Sequence, residues 1–112
     1  MRIVTVRERK ERETRRREDA AAGVAARLRE HVEKSGHIGR FIVFGSAAAG
    51  GMRHHSDIDI IIDFPAGQEA HAWTAAEDAC AEWDIPADIM SIHTTKDAFV
   101  QKVLSRLHEI ID

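Results

Sequence analysis

Asp57 and Asp59 stand two residues apart at the head of an apolar run that continues Ile60-Ile61-Ile62. On a strand, that spacing points both carboxylates from one face. Two carboxylates so close repel each other, and a cation is needed to hold both ionised. Mg²⁺ is the economical choice, because it is hard, takes oxygen ligands and bridges carboxylates to substrate phosphates. Ten residues separate Asp57 from a preceding Gly45-Ser46, which ends a second short run, Arg40–Phe44. Gly45 lets the backbone turn sharply or approach a ligand closely. Ser46 and the alanines after it read as the first turn of a short helix, whose free N–H groups are a ready place for phosphate.

The elements that must position these residues follow from periodicity. Thr5 with Glu8 fits a capping box, so a helix begins near Val6 and runs to Lys34, stopped by Ser35-Gly36. Its second half carries one apolar stripe, Ala21, Val24, Ala25, Leu28 and Val32, whereas RERKERETRRRED has none. Arg40–Phe44 and Asp57–Phe64 are the first two strands, the second closed by Pro65. Gln68–Trp83 reads as a helix with Trp73, Ala76, Cys80 and Trp83 along one face. A third strand, Ala87–Ile92, follows Pro86. Thr94 with Asp97 is a second capping-box candidate, opening a helix whose stripe runs from Phe99 through Leu107 to Ile110 and Ile111.

Gly45-Ser46 ends the first strand and Asp57 starts the second, so the two strands must be antiparallel for these residues to meet. The intervening helix then returns the chain, and a right-handed crossover lays the third strand parallel to the second. Asp88, near the start of the third strand, thereby joins Asp57 and Asp59. The expected fold is α/β (α+β), a small mixed sheet of three to four strands with helices packed on it.

Composition sets the bounds. The chain has 112 residues, with 44% apolar, 31% charged and a net charge of −3. This is one domain, large enough for a modest core. The organisation expected is a basic, extended helical arm at 1–17 and the domain proper at 18–112. Between Arg2 and Arg17 eight basic residues meet Glu8, Glu11 and Glu13. That mixture reads as a solvated helix or a segment packing on another chain, not as a nucleic-acid patch. No stretch approaches a membrane span. The single cysteine, Cys80, excludes an intrachain disulfide and suits a reducing cytoplasm.

Gly-Ser, ten residues, then Asp-x-Asp resembles the signature of the nucleotidyltransferase superfamily that includes the β-type DNA polymerases. In so short a chain it is similar to the minimal nucleotidyltransferases, the antitoxin-like branch paired with HEPN-domain proteins. The resemblance implies a polymerase β palm-like fold and transfer of AMP from ATP to a hydroxyl of a HEPN-type toxin, with tyrosine the expected acceptor. Asp57 and Asp59 would hold one or two Mg²⁺ ions that grip the triphosphate, and Asp88 would ligate the second metal or take the acceptor's proton. Gly45 and the Ser46 hydroxyl would contact phosphate. In one respect the chain departs from the branch: where Gly-Ser-x-Ala-Arg-Gly is common, Ala49 replaces the arginine. Arg53, four residues on, is the candidate to replace that cation near the nucleotide.

Other residues have blander readings. His54-His55 is a solvated loop pair, since adjacent residues ligate one ion poorly and no zinc-type spacing supports them. Asp63 is an edge or turn residue, Cys80 a small buried hydrophobe, and Trp73 and Trp83 belong to the core. Two function classes remain. One is the enzyme. The other is an antitoxin that neutralises its partner by contact, with a weak or dead site, for which Ala49 and the arm speak. Transfer to a small molecule is a third reading and would require a partner subunit or a homodimer to complete the pocket.

Overall fold

The computed structural model describes residues 5–45 and 58–112. Helix α1 spans Val6–Lys34, and its first free N–H groups are capped as expected: the Thr5 hydroxyl accepts from the Glu8 N–H at 3.1 Å. At 29 residues it is roughly 44 Å long. Only Ala20, Val24, Leu28 and Val32 of α1 are buried, so its inner half alone meets the core. Each of the larger three contributes about 1.5–3 kcal/mol by leaving water. The helix ends where Ser35 takes the cap position and Gly36 turns left-handed at φ +80°.

Strands β1 (Arg40–Phe44), β2 (Ile58–Asp63), β3 (Ala87–Ser91) and β4 (His108–Ile111) form one sheet in the order β3-β2-β1-β4. β1 pairs antiparallel with both β2 and β4, and β2 pairs parallel with β3. A 3₁₀ turn, Ala66–Gln68, and helix α2, Glu69–Glu82, make the crossover between β2 and β3. Helix α3, Asp97–Leu104, leads into β4. The α/β class and the mixed sheet are therefore as expected.

The sheet separates two apolar layers. Phe41 and Val43 of β1 and Ile58, Ile60 and Ile62 of β2 pack with α1 and α2 in the main core. Ile42, Ile61 and Val103 form a smaller core under α3, joined by Phe44, Met90 and Val100. Strand alternation assigns each residue to its layer.

The structure corrects three details. The expected last helix does not reach Ile111: it ends at Leu104, and His108–Ile111 becomes β4 along β1. Without β4, the outer edge of β1 would leave a row of N–H and C=O groups unpaired, and that need overrides a helical apolar period. Thr94 does not cap α3 either; Lys96 holds the cap position without a side-chain bond, while Asp97 sits in the first turn. Trp83 lies outside the core at 42% exposed, its indole seated over Gly23 of α1. A Cβ at Gly23 would come 2.2 Å from the indole, which explains a glycine inside a long helix. Trp73 is half-buried against the main core.

Among the described residues, no helix is long and apolar enough to cross a membrane. Cys80 is buried, and burial pushes its thiol up to about 11. It therefore stays protonated at neutral pH and packs as a hydrophobe.

His31 lies on the main-core side of α1, with ring centroids 6.0 Å from Phe41 and 5.7 Å from Phe64. Its Nε2 is buried without a hydrogen-bond partner among the described residues. Burial holds its pKa below the usual 6.5, with His71 and Lys34 adding to the effect. The folded state thus binds a proton less readily than the unfolded chain, so stability falls as pH drops below about 6.5. We expect chemical denaturation at pH 7.5 and pH 5 to show this loss in wild type. The His31→Gln variant should lose less over the same interval; an identical loss would remove His31 from the account.

Candidate active site

The pairing register brings the chemistry-bearing residues together. Phe44, the last residue of β1, is opposite Asp59, and Asp59 is beside Asp88 on β3. Adjacent strands lie about 5 Å apart, and residues paired in register share a face. Asp59 and Asp88 therefore project from the same face of neighbouring strands, the face covered by α3. Asp59 is half-buried and Asp88 is exposed, on a strand that forms the outer edge of the sheet.

Gly45 closes the arrangement from the other side. It has φ +81°, and a Cβ there would come 2.5 Å from Asp59 Oδ2. Glycine suits the left-handed backbone here, and a side chain in its place would also displace the Asp59 carboxylate. At the far end of the same strand pair, Arg40 Nε donates to Asp63 Oδ2 at 2.8 Å. Asp63 is thus occupied by an ion pair at the opposite end of β2 from Asp59, in keeping with its expected edge role.

Of the residues expected at the site, the structure places Gly45, Asp59 and Asp88 together. Ser46, Arg53 and Asp57 lie outside the described residues, as do Ala49, His54 and His55. Among the described residues no group of three His, Cys, Asp or Glu side chains gathers as a metal site. The donor chemistry of the pair, two carboxylates on adjacent strands, suits a hard divalent cation, and Asp57 stands two residues before Asp59 in the sequence.

Sequence reasoning missed one part of this neighbourhood. A cavity of about 330 Å³ beside Gly45 is lined by Phe44 and by α3 and its end, including Phe99, Lys102 and Arg106. The apolar stripe of α3 drew attention to its buried side. The two cations four residues apart at its C-terminal end were the available signal.

A family model described as polymerase beta, nucleotidyltransferase matches residues 26–112. No curated protein matches the chain.

Two glycines offer a matched test of the close approach. Gly36 has φ +80° with nothing within 4 Å of a built Cβ, whereas Gly45 has φ +81° and meets Asp59. Alanine at either position should cost about 1–2 kcal/mol of backbone strain. Gly45→Ala should in addition push the Asp59 carboxylate aside. Urea unfolding should show both variants destabilised, and only Gly45→Ala should weaken divalent-cation binding followed by titration. Equal cation binding in the two variants would show that the contact does not position Asp59.

Proposed function

The chain belongs to the polymerase beta nucleotidyltransferase family, and on that premise we propose that it transfers AMP from ATP to a tyrosine hydroxyl of a HEPN-type toxin, acting as its antitoxin. The observation that carries the reading is the register Phe44↔Asp59↔Asp88 with Gly45 packed on Asp59. It gathers a carboxylate pair and a glycine turn at one end of one sheet face, where a triphosphate and an acceptor hydroxyl can meet.

In this reading Asp59 and Asp88, with Asp57, would hold one or two Mg²⁺ ions. A metal held there would supply charge neutralisation at the reacting phosphate and the departing pyrophosphate. The Gly45 turn lets backbone N–H groups reach phosphate oxygens, with the Ser46 hydroxyl and Arg53 contributing further contacts. The acceptor oxygen bonds to the α-phosphorus and the bond to the β-phosphate bridging oxygen breaks. Pyrophosphate leaves, and the hydroxyl proton passes to Asp88 as general base. Asp88 is exposed on the edge strand, which supports an acceptor presented by another protein rather than one enclosed by this chain. Adenylylation adds charge and bulk to the toxin, enough to block an RNA-cleaving centre.

A second reading, an antitoxin that acts by binding alone, is favoured by Ala49, the position where the common motif carries a cation. Purified chain, Mg²⁺ and α-labelled ATP, with and without a HEPN-domain partner, separate the two. We expect label on the partner, a mass gain of one adenylyl group, and loss of both in Asp59→Asn by at least about a hundredfold. A tight complex that carries no label, and is unchanged in Asp59→Asn, would contradict the transferase and leave the binding antitoxin.

A further inference from the structure

The cavity beside Gly45 has a composition that the roles assigned above leave unused. Its apolar wall includes Phe44, Phe99 and Leu107, and its polar groups come from Lys102 and Arg106. Phe44 and Phe99 meet edge-to-face with centroids 6.0 Å apart. Phe99 and Leu107 are 40% and 64% exposed, an apolar surface left open at the margin of the candidate site.

The cations around the sheet differ in their pairing. Arg27, Arg29, Lys34 and Arg40, on α1 and β1, each have a carboxylate oxygen within 3.7 Å. Lys102 and Arg106 have no such partner among the described residues. Lys102 lies in the last turn of α3 and Arg106 in the bend just beyond it, and both line the same cavity, so both can address one ligand there. Gly45, the turn nearest the carboxylates, lines the same cavity. The cavity therefore sets two uncompensated cations against the glycine turn, on the sheet face that carries Asp59 and Asp88.

We propose that Lys102 and Arg106 bind the β- and γ-phosphates of the nucleoside triphosphate in this cavity and hold the pyrophosphate as it leaves. The assignment rests on the nucleotidyl-transfer reading above. Arg106 offers a planar fork that can take two phosphate oxygens, and Lys102 a compact charge on a flexible stem. Negative charge grows on the pyrophosphate as its bond to the α-phosphorus breaks, so cations at that end stabilise the departing group. The wall of Phe44 and Phe99 excludes water from one side of the contact, which strengthens it. A purely structural role makes a different forecast: Lys102 lies in the last turn of α3, where a cation favours the helix end. Such a role would lower stability without distinguishing one nucleotide from another.

The test is equilibrium binding of ATP and of AMP to the full chain with Mg²⁺, comparing wild type, the double variant Lys102→Ala/Arg106→Ala, and Lys102→Arg. Loss of charged contacts to the outer phosphates should weaken ATP by about tenfold or more, while AMP, which lacks those phosphates, changes less than about threefold. Lys102→Arg should bind ATP more tightly than Lys102→Ala. Unchanged ATP affinity in the double variant overturns the proposal. So does an equal loss for ATP and AMP accompanied by a lower thermal midpoint, which is the helix-end outcome. Wild type that binds neither nucleotide overturns the transfer reading together with this one. Wild type that labels its acceptor, matched by a double variant with unchanged kcat and KM, overturns this one alone.

Discussion

The structure depends on a turn that favours glycine: Gly45 has φ +81°, and its backbone lies against Asp59, whose Oδ2 would be 2.5 Å from an added Cβ. That contact ties the end of β1 to the start of β2 and fixes the relation between the glycine turn and a carboxylate. Antiparallel register carries the relation across β1 and β2, and parallel register carries it on to Asp88. A shift by one residue in either pairing would turn a carboxylate to the opposite face. The ion pair of Arg40 with Asp63 lies at the other end of the strand pair, part-buried and in register. Its energetic worth is small, about 1 kcal/mol or less, but it disfavours a slipped pairing.

The two sides of the sheet divide the work. The side of α1 and α2 buries Phe41, Phe64, Leu28 and the alternate isoleucines of β2, and supplies most of the stability. The α3 side has a thinner apolar layer and carries Asp59, Asp88 and the cavity beside Gly45. Chemistry is thus placed where little core must be sacrificed for polar groups, since burying unpaired charge is costly. β3 lies at the sheet edge and leaves Asp88 open to an incoming molecule.

Much of this was legible in the chain. Thr5, Glu8 and the Ser35-Gly36 stop delimit α1, and the requirement that Gly45 meet an aspartate at a strand start dictates the β1–β2 orientation. The crossover rule then places Asp88. What escaped the sequence was tertiary in origin. Ile110 and Ile111 continue a helical apolar period, yet pairing along the open edge of β1 makes them strand. Trp83 fits the apolar face of α2, yet it lies over Gly23 and half in water, because Ala72, Ala76 and Ala79 already bring α2 close to the core. Lys102 and Arg106 show in the sequence only as two cations four residues apart; the fold is what brings them alongside Gly45.

The central claim is that Asp59 and Asp88 together form a cation site completed by a nucleotide. It is tested most directly by titrating Mn²⁺, in place of Mg²⁺, into the protein with and without ATP and following free Mn²⁺ by electron paramagnetic resonance. The account predicts Mn²⁺ binding that tightens with ATP in wild type and is lost in Asp59→Asn, with Asp88→Asn weakened. ATP-dependent Mn²⁺ binding of wild-type strength in both variants would contradict it.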